Sequence, residues 1–198
     1  MADAPPGLSG LLSLTVKRRR IRRAVCHLRA GERVLDLGSG LGELVESLPP
    51  DVVYLGVERD PHMVEHCRRR FPGLTFLRGD ILKDPLPAGP WDAILLLAVL
   101  EHVPDPAALL AKAAALLATG GRIVVTTPHP RGQRLLELLA RLRLLSPFAD
   151  DEHETLLDRG ALEAAGAEAG LELAGYTTFL AGLNQCAVFR RRGSTPPS

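Results

Sequence analysis

The chain has 198 residues, with 24 lysines and arginines against 23 aspartates and glutamates, a net charge of +1. That length suits one full hydrophobic core and is short for two, and the balanced charge gives no global reason to expect a polyanionic partner. Cys26, Cys67 and Cys186 lie far apart without C-x-x-C spacing, no apolar run reaches the roughly 18 residues a bilayer needs, and the first fifteen residues lack signal-peptide order, so disulfide scaffolds, zinc sites and spanning helices are set aside for a soluble cytoplasmic domain.

In chain order, residues 1–14 are rich in Pro, Gly and Ser and are expected to be loose, and "TVKRRRIRRAVCHL" fits a basic helix. "RVLDLG" is a short apolar run ending in Gly, expected as a buried strand, and "GELVESL" follows at helical spacing. "VVYLGVE" is a second strand; Asp60 and Pro61 then open a helix as N-cap and first helical residue. "LTFLRGD" and "WDAILLLAV" give strands three and four, and Asp105-Pro106 starts a helix that "TGG" stops near Leu117. "RIVVTTP" is a fifth strand, "RGQRLLELLARLRLL" an amphipathic helix, and "RGALEAAGAEAGL" a further helix. "LELAGYTTF" and "NQCAVFRRR" close the chain as an antiparallel hairpin at a sheet edge. Strand and helix alternate, which predicts a mostly parallel sheet with helices on both faces.

The loop after the first strand places Gly38, Gly40 and Gly42 as G-x-G-x-G, with Glu43 where dinucleotide folds carry a third glycine. A carboxylate there would repel a pyrophosphate. Strand ends supply more acids: Asp36 just before the loop, Glu58 after strand two and Asp80 after strand three. In an open α/β sheet these points collect at one edge, where ligands bind. Glu58 suits the two hydroxyls of a ribose. Asp80 with the flat apolar Ile81 suits an adenine edge, and Met63 a second wall. Several carboxylates without a basic residue among them favour a cationic, phosphate-free nucleoside, and S-adenosylmethionine has those properties.

With these residues in place the chain resembles the class I S-adenosylmethionine-dependent methyltransferases of the type 11 or type 12 branch. The matching segments are "VLDLGSGLGELVESL", "YLGVERDPHMVEHCRRRFP", "FLRGDI" and "WDAILLLAVLEHVPDPAALLAKAAALLATGGRIVVTTP", over about residues 30–190. The resemblance implies an α/β, Rossmann-like three-layer sandwich whose seven-stranded, mostly parallel sheet has its last strand antiparallel. It implies that Asp36, Gly38 and Gly40 hold the methionine portion, that Glu58 binds the ribose, and that Arg59, Met63, Asp80, Ile81 and Leu97 border the adenosine. Ala98 stands where relatives frequently carry a polar or acidic residue. The expected organisation is a tail and basic helix over 1–29, the methyltransferase domain over 30–192 with an acceptor-side lid or insertion over 131–160, and a tail over 193–198.

In-line methyl transfer needs a general base only where the nucleophile must lose a proton. His102 after strand four, His129 in "TTPHP" and His153 in "DDEHET" are the candidates on the acceptor side. His62 and His66 sit at i, i+4 with no third ligand in register, so no metal site is expected. The amphipathic helix after Pro130, with Arg131, Arg134, Arg141 and Arg143, has three readings: a lid, a dimer surface, or a helix touching anionic lipid. The lid is preferred for its place beside the reaction site, with simple core packing as the next alternative. The basic run Lys17–Arg23 reads as a solvated face or a phosphate-recognising one, and without interleaved aromatics a nucleic-acid partner is disfavoured. Monomer and homodimer both stay open. The expected activity is methyl transfer to a small-molecule acceptor. A nicotinamide-dependent oxidoreductase and a non-catalytic binding module are the competing readings.

Overall fold

The first strand sets the plan. In β1 (Arg33–Leu37) Val34 and Leu35 are both fully buried, because adjacent side chains point to opposite faces of a sheet covered on both sides. The computed structural model describes residues 8–132 and 157–193. Within them lie β1, β2 (Val53–Glu58), β3 (Thr75–Arg78), β4 (Trp91–Leu97), β5 (Leu117–Pro128), β6 (Leu171–Phe179) and β7 (Asn184–Arg191). The helices are α1 (Leu8–Val25), α2 (Pro61–Arg70), α3 (Pro106–Ala115) and α4 (Arg159–Glu168).

The seven strands form one sheet in the order β3-β2-β1-β4-β5-β7-β6. Neighbours from β3 to β5 are parallel, and β7 runs antiparallel between β5 and β6. This is the expected Rossmann-like sandwich with its last strand reversed. Alternation along β4 and β5 divides the core. Ile94, Leu96, Ile123 and Val125 pack with Leu109 and Leu110 of α3 and Leu162 of α4. Ala93, Leu95 and Val124 face the other way, toward Ala24 of α1 and Val64 and Cys67 of α2. α2, α3 and α4 each start at an aspartate, Asp60, Asp105 and Asp158, whose side chain accepts from N–H groups of the first turn.

Three elements depart from the expected pattern. "GELVESL" makes only a short 3-10 turn at Val45–Ser47, because Leu48 is extended (ψ 142°), the backbone that a residue before proline prefers. α1 begins at Leu8, inside the segment expected to be loose, and lies against β4, β5 and β7. "TGG" does not stand outside the sheet: β5 already pairs at Leu117 with Trp91, then bulges before Arg122 meets Ala93. The helix expected from Arg131 onward lies, from residue 133, outside the described residues, as does most of the expected 131–160 lid.

Candidate active site

The chain leaves β1 toward β2 and β3, then returns to β4 on the other side of β1. The two strands diverge at that reversal, and a cavity of about 240 Å³ opens at their carboxyl ends. β1 and its loop contribute Asp36, Gly38, Ser39 and Gly40, β4 contributes Leu97 with the following Ala98, and α2 contributes Met63. Lys17, Arg20 and Ile21 of α1 complete the wall.

Each loop glycine answers a different need. All three have positive φ, between +54° and +82°. A Cβ on Gly38 would stand 2.7 Å from Cγ2 of Val99, so this glycine lets the β1 loop lie against the end of β4. A Cβ on Gly42 would press on Phe71 and Cys67 of the α2 region. A Cβ on Gly40 would meet nothing within 4 Å, and Gly40 lines the cavity, so here the bare backbone faces open space.

Glu58 ties this loop to β2. Its Oε2 accepts from the Gly40 N–H at 3.1 Å and its Oε1 from the Asp60 N–H at 3.0 Å. A carboxylate has about four acceptor positions, so both oxygens keep capacity for further donors. Asp36 is 3% exposed, and its Oδ2 accepts from the Tyr54 hydroxyl at 2.8 Å. Burial pushes its carboxyl up to about 7; the Tyr54 bond opposes this, and the charges of Glu58 and Glu43 add to it.

Of the remaining expected residues, Arg59, Asp80, Ile81, His102 and His129 do not line the cavity itself. Arg59 is exposed beside Glu58. Asp80 is next to the same corner, since the Gly79 N–H donates to the Glu58 carbonyl. The Asp80 carboxylate accepts from the Leu82 N–H, which holds it below the usual aspartate range, with Lys83 assisting. Ile81 packs on the core formed with α3 and α4. His102 is exposed on a 3-10 turn after β4. Nδ1 of His129 accepts from the Arg131 N–H at 3.1 Å, so its neutral ring carries the proton on Nε2 and offers a donor. His153 lies outside the described residues.

Sequence reasoning missed a polar layer beneath α1. Glu101 is 2% exposed next to His102; burial raises its carboxyl pKa, and the nearby charge of Arg20 opposes that. Oε2 of Glu101 and Oγ1 of the fully buried Thr126 make no hydrogen bond among the described residues. Arg20 Nε donates to Oδ1 of Asn184 in β7 at 2.8 Å. Lys17 Nζ reaches Oε1 of Glu43 at 2.7 Å. α1 therefore bridges the glycine loop and β7 across the cavity, and the acids of the loop do have basic neighbours. "LEHVPDP" marked the Glu101 region, but nothing local marked α1 as its cover.

Residues 14–174 match the family model described as a methyltransferase domain. The chain belongs to the S-adenosylmethionine-dependent methyltransferase family. It is 36% identical over 126 residues to trans-aconitate 2-methyltransferase of Methylobacterium nodulans, covering 62% of this chain and 48% of that one. It is 30% identical over 187 residues to ubiquinone biosynthesis O-methyltransferase of Methylococcus capsulatus, covering 82% and 78%. This methyltransferase-family chain spans about half the length of the first of these relatives. Its fold is similar to that of a TehB-like SAM-dependent methyltransferase from Corynebacterium glutamicum, with a TM-score of 0.66 at 17% identity over 91% of this chain and 97% of that one. Among the described residues no helix is long and apolar enough to cross a membrane.

Proposed function

We propose that this chain transfers a methyl group from S-adenosylmethionine to a small organic acceptor at an oxygen, nitrogen or carbon nucleophile. The observation that carries this reading is the cavity wall where the open backbone of Gly40 adjoins the buried carboxylate of Asp36, with Glu58 bonded to the same loop. Those residues fit the cofactor. Asp36 offers an anion to its ammonium, Glu58 acceptor capacity to its ribose, and Met63 and Leu97 apolar walls, with Asp80 and Ile81 at the adenine edge. Arg59, exposed beside Glu58, flanks the adenine from the solvent side.

When bound, S-adenosylmethionine supplies a methyl carbon already activated by its sulfonium. The chain's own work is then alignment and exclusion of water, which in ideal cases lowers a barrier by roughly 7–11 kcal/mol. The glycine loop fixes the near side of the cavity and α1 closes the far side. His102 stands ready to take a proton from a hydroxyl acceptor, and the donor Nε2 of His129 orients one; His153 remains a further candidate. Relatives named for trans-aconitate and for ubiquinone biosynthesis support an acceptor among small metabolites, with lipid or quinone precursors and natural products in the same range. The work is assigned to the cytoplasm, and a peripheral membrane contact fits a lipid-like acceptor.

The test is titration calorimetry with S-adenosylhomocysteine and, separately, with NAD, followed by transfer of radiolabelled methyl into fractionated cell extract. Binding of S-adenosylhomocysteine and a labelled small-molecule product are expected. Binding of NAD alone would end this reading.

A further inference from the structure

The helix that closes the cavity also has an outward side. Lys17, Arg20 and Ile21 of α1 line the cavity and Ala24 is buried, whereas Arg18, Arg19 and Arg22 face solvent. These three make no ion pair among the described residues, and α1 itself holds no acid to offset them. Arg22 stands three residues from Arg19 and four from Arg18, spacings at which like charges on a helix repel. The helix C-terminus favours a cation at Arg22, but Arg18 and Arg19 lie ahead of the last turn and gain little from it. Arg23, by contrast, is used within the fold, 6.0 Å over the ring of Phe179. Three like charges are thus held together in water with nothing among the described residues to balance them.

The same side of α1 is not uniformly polar. Leu14, Arg18 and Arg22 follow at four-residue spacing and form one row, and Leu14 leaves 44% of its surface in water. Ahead of it the sequence of α1 reads Leu8, Leu11 and Leu12. A second exposed leucine, Leu41 at 40%, lies on the cavity rim. The Lys17–Glu43 ion pair joins the two regions, since Leu14 is a turn ahead of Lys17 and Leu41 is two residues ahead of Glu43. Unbalanced arginines in one row with an exposed leucine match a surface that sets phosphate charge over hydrocarbon. A nucleic acid offers the phosphates without the hydrocarbon, and α1 has no aromatic on which to stack a base.

We infer that the outward row of α1 docks this chain on a membrane surface rich in anionic lipid, with Arg18, Arg19 and Arg22 at the headgroups and Leu14 reaching below them. The docking face itself does not depend on the methyltransferase reading. Its use does: the cavity then opens beside the bilayer, where an apolar acceptor is concentrated.

The experiment is co-sedimentation of the full chain with vesicles of phosphatidylcholine alone and of equal parts phosphatidylcholine and phosphatidylglycerol. Wild type is expected on the anionic vesicles only, and to leave them as salt rises from about 0.1 M to about 1 M, where the screening length falls to about 3 Å. At about fivefold per cation, the combined variant Arg18→Gln, Arg19→Gln, Arg22→Gln should bind about a hundredfold more weakly, while lysine at the same three positions should stay close to wild type. Leu14→Ser should weaken binding several-fold at unchanged charge. None of these positions lines the cavity, so S-adenosylhomocysteine affinity in solution should not move. Wild type that binds both vesicles alike, or neither, overturns the docking face without any variant. Vesicle binding that survives in the triple glutamine variant overturns it too, as does tighter binding of a single- or double-stranded oligonucleotide than of anionic vesicles. Vesicle binding without S-adenosylhomocysteine binding would keep the face and remove the methyltransferase reading instead.

Discussion

The Tyr54 hydroxyl donates to Asp36 across two paired strands, at 2.8 Å and out of reach of bulk water. The neighbour pairing Val34 with Tyr54 and Asp36 with Gly56 puts both side chains on the α1 and α2 face, with only the small Gly56 between them. A carboxyl buried there and pushed up to about 7 divides between its two forms at neutral pH.

That division predicts a pH dependence of sign opposite to an ordinary ion-paired aspartate. The folded chain holds the Asp36 proton more tightly than the unfolded chain, where it leaves near 3.8. The associated stability is fully present below about pH 4 and is lost as pH rises toward about 7. Affinity for the ammonium of S-adenosylhomocysteine runs the other way, rising from pH 6 to 8 as Asp36 ionises. Tyr54→Phe deletes the bond that opposes the upward shift, so its affinity profile should move to higher pH. A flat calorimetric profile over this range would exclude Asp36 as the ionised partner.

The loop glycines should separate stability from binding. Gly38→Ala adds a left-handed alanine, worth about 1–2 kcal/mol, and drives its Cβ into Val99. A melting temperature lower by several degrees is expected, partly restored by adding Val99→Ala. Gly40→Val carries similar backbone strain without a clash, but its side chain enters the cavity. A folded protein with at least tenfold weaker S-adenosylhomocysteine binding is expected, and unchanged affinity would take the loop out of the site.

Glu58 has a similarly specific signature. A glutamine there keeps one accepting oxygen and loses the other, leaving either the Gly40 or the Asp60 N–H without its partner at about 1–3 kcal/mol. If the same carboxylate takes the ribose hydroxyls, wild type should bind adenosine well above 2′,3′-dideoxyadenosine. Glu58→Gln should narrow that gap. Calorimetry with the two nucleosides decides it.

At the opposite, amino-end edge of the sheet, Arg122 and Glu32 form a pair with side chains 6% and 13% exposed. Arg122 also donates to the His27 carbonyl. Arg122→Met removes one member and strands the other, for which a loss of about 3–5 kcal/mol is expected. Thermal melting should show that loss clearly. S-adenosylhomocysteine affinity at low temperature should not move, which makes the variant a control for the cavity substitutions.

The sheet and the cavity's β-edge were legible because their signals are local. An apolar run ending in Gly38, or an acid closing a strand as Glu58 does, states its position without reference to distant sequence. What stayed hidden depends on long-range neighbours. Arg20 and Asn184 are 164 positions apart, and the basic face of α1 reads the same whether it meets water or roofs a cavity. Leu44, Val45 and Leu48 have helical spacing, yet the preference of a residue before Pro49 for extended backbone overrides it. His129 reads as a base by its place, while one backbone N–H from Arg131 decides which ring nitrogen holds the proton.

One side chain at the far end of the sheet has an evolutionary consequence. The Gln185 amide donates to the carbonyls of Pro128 and Leu157, and its oxygen accepts from Tyr176. The end of β5 and the residues just ahead of α4 are therefore stitched to one side chain. Because closing a loop grows harder only slowly with its length, by about 0.6 kcal/mol per doubling, whatever spans those two points can be lengthened, shortened or exchanged while the sheet stays intact. A lineage could rewrite that one span and leave the seven-stranded sheet and the cavity between β1 and β4 untouched.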